Sequence, residues 1–206
     1  MLDRLIIEFD TGLRTLLAQA RSGRPHPDQG LSETLATEND KQHAAALMRI
    51  NHTGEVCAQA LYSGQSITAR NAETANALRH AAEEETEHLA WCEKRIKELG
   101  SHTSVLNPLF YAGSFGLGMV AGALGDKWNL GFVAETEHQV GKHLEEHLEL
   151  LPEQDNKSRA IIHQMQIDEA EHAANAIQHG GAELPPPIKS IMKVLSKVMT
   201  TTTYRI

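Results

Sequence analysis

Apolar residues recur at every third or fourth position through most of this chain, and the period-two alternation of a half-buried strand is nearly absent, which predicts an all-α protein. A first amphipathic helix is expected over residues 3–20, and the glycines and prolines of residues 21–32 predict a loop. Four long helices follow, over residues 38–66, 72–99, 127–151 and 156–179. Gly100 suits a left-handed cap ending the second, Asp126 and Asp155 suit the starts of the third and fourth, and Pro152 and Gly180-Gly181 suit their ends. These helices make two hairpins joined by residues 101–125, the connectivity of a ferritin-like four-helix bundle with one long crossover. The proline run at 185–187 precedes a last helix near residues 188–199.

The crossover carries no Asp, Glu, Lys or Arg from Thr103 to Gly125, a run longer than the roughly 18 residues that qualify as a membrane-span candidate. Pro108 and five glycines (Gly113, Gly116, Gly118, Gly122, Gly125) argue instead for close packing across the bundle, with interfacial contact left open. In the last helix Ile188, Ile191, Leu195 and Val198 alternate with Lys189, Lys193 and Lys197, which fits a helix lying on anionic lipid and equally one docked on the bundle.

Length and charge narrow the classes. A chain of 206 residues is the size of a single domain, residues 1–206, with the N-terminal helix and loop (1–32) and the C-terminal segment (185–206) as its additions. A formal charge of −8 makes nucleic acid a poor partner. Cys57 and Cys92 are too few for a disulfide framework or a four-cysteine metal centre, and Asp3, Glu8 and Asp10 interrupt the apolar run a signal peptide would need, so a cytoplasmic protein is expected.

The candidate chemistry lies in Glu-x-x-His pairs, which share one helix face. With 20 Glu and 12 His, chance alone gives about one such pair. Three occur: Glu85/His88, Glu135/His138 and Glu169/His172. Orientation separates them. Glu85 and His88 interrupt the apolar stripe Leu78, Ala81, Cys92, Ile96, and Glu169 and His172 interrupt Ile162, Met165, Ala176. On the third long helix the stripe passes through Glu137, while Glu135 lies roughly 200° around the axis, so the Glu135/His138 pair is a chance match. The first long helix offers Glu55 within Met48, Asn51, Ala58 and Tyr62, although Leu47, Ile50, Cys57 and Leu61 form an equally apolar stripe beside it. Each hairpin thus sets a lone Glu opposite a Glu-x-x-His. Four carboxylates and two imidazoles converging in a bundle core make the donor set of a di-iron or di-manganese centre, in which hard oxygen donors bridge two metals. The metal candidates are Glu55, Glu85, His88, Glu137, Glu169 and His172.

The block Met48-Arg-Ile-Asn-His-Thr-Gly-Glu-Val-Cys-Ala-Gln-Ala-Leu-Tyr62, followed in order by Glu85-Thr-Glu-His88, Glu137 and Glu169-Ala-Glu-His172, resembles the demethoxyubiquinone hydroxylases of ubiquinone biosynthesis from about Glu38 onward. The resemblance implies that Glu55, Glu85 and His88 serve one iron, that Glu137, Glu169 and His172 serve the other, and that Glu85 and Glu169 bridge them. It implies hydroxylation of a polyprenylated demethoxyubiquinol, the penultimate step to ubiquinone, with two Fe per chain, O2 and a reductant. NADH is the reductant the resemblance suggests, although no dinucleotide fingerprint is present. With such a prenyl tail, residues 103–125 and the basic last helix would give access from lipid, so a peripheral enzyme on the cytoplasmic face of the cell membrane is expected, as a homo-oligomer or within a biosynthetic complex. His143 matches a histidine the family carries near its site. Some members place a tyrosine after it, where this chain has Leu144. His52 and Tyr62 are further candidates for supporting the metal residues.

Rival readings are a ferritin-like ferroxidase or iron store, which needs a hollow shell and no quinol pocket, and a rubrerythrin-like peroxidase, whose usual cysteine-rich iron domain two cysteines cannot build. A lipid-binding bundle with a vestigial acidic core is the non-enzymatic one.

Overall fold

The computed structural model describes residues 2–206, and their side chains from residue 6 onward; Met1 lies outside the described residues. Seven helices and no strand occur among them: α1 (Leu2–Leu17), α2 (Glu38–Thr68), α3 (Ala72–Glu98), α4 (Asn107–Ala123), α5 (Asp126–Leu150), α6 (Asn156–Gln178) and α7 (Pro186–Thr203). The all-α ferritin-like reading holds, with α2/α3 and α5/α6 as the hairpins and α4 as the crossover.

Local chemistry sets the helix ends. Thr37 Oγ1 accepts from Asp40 N (3.1 Å) at the start of α2, and Asp155 Oδ1 accepts from Ser158 N (3.1 Å) at the start of α6. Gly100, at φ 74°, closes α3 by donating to Lys97 O, followed by Ser101 N to Ile96 O (both 3.0 Å). Asp126 is the exception to the sequence reading. Gly125, at φ 107°, occupies the position before α5, and the Asp126 carboxylate instead accepts from the backbone N–H groups of Arg70 and Asn71 (2.9 and 2.8 Å), tying the α2–α3 turn to the start of α5.

The bundle core is layered. At one end Met48, Trp91, Cys92, Ile96, Leu144, Ile161, Ile162 and Met165 form a tightly buried apolar cluster. At the other, Ala58, Tyr62, Leu78, Ala82, Val133, Ala134 and Ala176 form a second. The candidate metal residues fall between these layers on all four long helices.

The crossover does not span a bilayer. No described helix is long and apolar enough to cross a membrane, and α4 lies along α2 instead. Glycine makes this approach workable, since a Cβ at Gly118 would overlap the Leu61 carbonyl and one at Gly64 the Phe115 carbonyl. Close contact uses only part of the helix, however. Leu109, Leu117 and Val120 on α4, Leu124 just after it, and Ile191, Val194, Leu195 and Val198 on α7 remain exposed.

Candidate metal centre

Glu55 on α2, Glu85 and His88 on α3, Glu137 on α5, and Glu169 and His172 on α6 converge, each buried. Their donor atoms form two overlapping groups, Glu55/Glu85/His88/Glu169 and Glu85/Glu137/Glu169/His172, with every donor within 4.8 Å of the others in its group. Glu85 and Glu169 belong to both. Each turns one oxygen toward each histidine. Glu85 sets Oε2 at 2.9 Å from His88 Nδ1 and Oε1 at 3.3 Å from His172 Nδ1. Glu169 sets Oε1 at 3.1 Å from His88 Nδ1 and Oε2 at 3.1 Å from His172 Nδ1. Glu55 approaches His88 Nδ1 at 3.8 Å.

The electrostatics of this cluster call for cations. Burial, with Glu85 and Glu169 nearby, raises the Glu55 carboxyl well above its ordinary range, and burial beside Glu169 does the same to Glu137. Glu85 goes the other way, because the His172 and His88 imidazoles beside it outweigh its desolvation. Against their own burial, the surrounding carboxylates raise His88 well above the usual imidazole range and push His172 up to about 12. The cluster therefore favours positive charge at its centre. Glu137 Oε1 has no hydrogen-bond partner among the described residues, and Oε1 of Glu85 and of Glu169 approach the imidazoles without hydrogen-bonding geometry. Buried, under-satisfied carboxylate oxygens beside inward-facing Nδ1 atoms suit a pair of divalent ions, which would supply that charge.

Two further carboxylates, missed in the sequence reading, hold the outer ring nitrogens. Asp168 Oδ2 lies 3.0 Å from His88 Nε2, and Glu84 Oε2 lies 3.0 Å from His172 Nε2. Each acid precedes the glutamate of one Glu-x-x-His pair and braces the histidine of the other hairpin, fixing which nitrogen faces inward. The sequence did carry the signal: acid-Glu-x-x-His occurs at 84–88 and 168–172, whereas Glu135 follows Ala134. Glu135 indeed pairs with Lys189 (3.1 Å), and His138 is exposed.

The remaining candidates lie around the centre. His52 makes no hydrogen bond to the six residues; its Nδ1 faces Asn107 Nδ2 at 3.4 Å, and burial lowers it to about 4. Tyr62 sits in the alanine-rich layer with its hydroxyl unpartnered among the described residues. The His143 ring lies 3.9 Å from that of His147, tilted 59° to it, and burial lowers both, His147 to about 2. His143 also lines a cavity of about 280 Å3 enclosed by α2, α4, α5 and α7, with Glu55 among its lining residues.

A family model, ubiquinone biosynthesis protein COQ7, matches residues 42–203. The chain belongs to this family. Curated relatives named 3-demethoxyubiquinol 3-hydroxylase match along nearly the whole length: that of Chromobacterium violaceum is 60% identical over 206 residues, covering all of both chains. That of Nitrosomonas eutropha is 61% identical over 202 residues, 98% of this chain and 97% of its own, and that of Nitrosomonas europaea 61% over 203 residues, 98% of each. The family match begins at residue 42, so α1 and the loop after it precede it, and these relatives nevertheless align through most or all of that part.

Proposed function

We infer that this chain is a 3-demethoxyubiquinol 3-hydroxylase of ubiquinone biosynthesis, acting at a two-iron centre. The observation that carries the reading is the doubled carboxylate–histidine cluster, in a chain about 60% identical throughout to proteins of that name. Glu55, Glu85 and His88 would hold one iron and Glu137, Glu169 and His172 the other, with Glu85 and Glu169 shared. Bound there, iron would supply electrons and Lewis-acid sites for dioxygen reduction. Overall, one oxygen atom enters the quinol ring and the other leaves as water, with two electrons and two protons from a reductant.

The protein's share is positioning and exclusion of water. The cavity reaches Glu55 between apolar walls that include Leu61, Phe110, Phe132 and Leu144, which suit a prenylated ring, while Thr136 and Gln139 offer hydrogen bonds to its oxygens. Its outer walls include Leu109 and Leu117 on α4 and Leu195 and Val198 on α7, all exposed apolar residues. A long prenyl tail would leave the cavity there, directly into lipid.

The test supplies reduced, iron-loaded protein with a demethoxyubiquinol analogue and labelled O2. The expected result is one labelled oxygen in the ring product; iron oxidation with no ring product would point to a ferroxidase instead, and unlabelled ring product would exclude O2 as the source of the inserted oxygen. Peripheral membrane contact through α4 and α7 is the companion proposal. Because the whole chain is acidic, the exposed Lys193 and Lys197 should matter most, Lys189 being paired with Glu135 and Glu183. The chain is expected to pellet with phosphatidylglycerol vesicles, and Lys193→Glu with Lys197→Glu to release it. A wild-type chain that stays in the supernatant rules the membrane role out.

A further inference from the structure

The two halves of the metal cluster are braced by carboxylates in very different settings. Glu84, which holds His172, is 41% exposed; His80 Nδ1 stands 3.5 Å from it, and the Arg24 guanidinium acts on it through space without an ion-pair contact among the described residues. Asp168, which holds His88, is 11% exposed and is gripped from outside the bundle. Arg24 sets Nη1 at 2.8 Å from Asp168 Oδ2 and Nη2 at 3.2 Å from Oδ1, a two-pronged pair, and Gln164 donates to Oδ1 at 2.9 Å.

Arg24 comes from the segment between α1 and α2, which precedes the stretch matched by the family model. That segment is itself strapped down. Gly23 N and Arg24 N donate to Glu87 (2.8 and 3.2 Å), Ser22 Oγ also hydrogen-bonds Glu87, and Asp28 pairs with Lys94 at 2.6 Å. The Arg24 guanidinium lies 5.0 Å from the ring centre of Trp91, whose Nε1 donates to Ser22 Oγ (3.1 Å) and whose ring stands 5.3 Å from that of His88. A planar guanidinium held on an aromatic face has little freedom to turn, so the Asp168 carboxylate and the His88 ring are held with it.

We propose that Arg24 is a positioning residue for one half of the centre: through Asp168 it fixes His88 with Nδ1 inward, so that the metal position served by His88 binds more tightly than the one served by His172. The inference rests on the two-metal reading above. It makes the N-terminal strap part of the metal site, and it makes the two positions fill in order rather than together.

The test is an anaerobic titration of the metal-free full chain with Co(II), followed by visible absorption and calorimetry. Wild type is expected to take up two ions, the first at least about tenfold more tightly than the second. Arg24→Ala should weaken the first step by about tenfold, the low end of the usual range for a lost outer-shell partner, and leave the second within about twofold, so that the steps merge. Arg24→Lys keeps the charge, loses the fork, and should recover only part of the first step. It also serves in place of the alanine variant should that one not fold. His138→Ala, on the exposed face of α5 away from the strap and from Asp168, should titrate like wild type.

Equal first and second steps in wild type, Arg24 variants that titrate like wild type, both steps weakening alike, or His138→Ala reproducing Arg24→Ala would each overturn the inference. A wild-type chain that binds fewer than two ions overturns the two-metal reading and takes this inference with it. Two ions with unaffected Arg24 variants overturn the inference alone.

Discussion

Glu169→Ala is expected to abolish ring hydroxylation and to reduce iron retained after anaerobic loading from two ions per chain to fewer than one. Only Glu85 and Glu169 turn an oxygen to each of the two histidines, and Glu169 stands in both donor groups, so its loss strips a donor from both metal positions at once. Outer partners of metal ligands cost about 10–100-fold when removed, and a shared donor should exceed that, leaving product formation below about 1% of wild type. His138→Ala, on the exposed half of the chance Glu-x-x-His pair, should leave both measurements unchanged. Circular dichroism separates loss of metal from loss of fold. Retention of more than about a tenth of the activity with two irons bound would falsify the assignment of Glu169 as a shared donor.

The largest effect on stability is expected away from the metals, at Arg95. This side chain is fully buried, with Nε donating to Ser158 Oγ (2.9 Å), Nη2 to Asp155 Oδ1 (2.8 Å) and Nη1 to Glu33 Oε2 (2.6 Å). It therefore joins α3, the start of α6 and the N-terminal strap. Arg95→Ala leaves Asp155 buried without its cation, and breaking one side of such a pair costs about 3–5 kcal/mol. Urea unfolding of the metal-free chain reads this directly, and a loss below about 1 kcal/mol would show that the pair is better solvated than its burial implies. Acid titration gives a second signature. Against the effect of partial burial, hydrogen bonding from Arg95 holds Glu33 at about 2 rather than its ordinary 4.5. A depressed carboxylate contributes stability that is present above pH 4.5 and lost as pH falls toward 2; Arg95→Ala should flatten that part of the acid slope, leaving the smaller share held by the Thr34 and Leu35 backbone N–H groups.

The helices and the inward direction of three of the four metal-bearing helices were legible because period and polarity are local properties. Glu85, His88, Glu137, Glu169 and His172 each sit where a bundle-facing stripe otherwise demands an apolar residue. Helix α2 was ambiguous for a physical reason: α3 packs on one side and α4 on another, so Met48, Glu55 and Ala58 are buried and so are Leu47, Ile50 and Leu61. A helix covered on several sides has no single stripe to read. His52, one turn before Glu55, shared its apparent promise with the metal residues, yet it faces α4 rather than the centre.

Helix existence, the hairpin pairing and the doubled donor set were written into residue order, since turns, caps and spacing act over a few positions along the chain. The bracing of His88 by Asp168 and of His172 by Glu84, the grip of Arg24, and the cavity between α4 and α7 came only with tertiary packing. Each joins residues far apart in the sequence, Arg24 and Asp168 by 144 positions. Contacts of that kind depend on how helices are set beside one another, and no local periodicity records it.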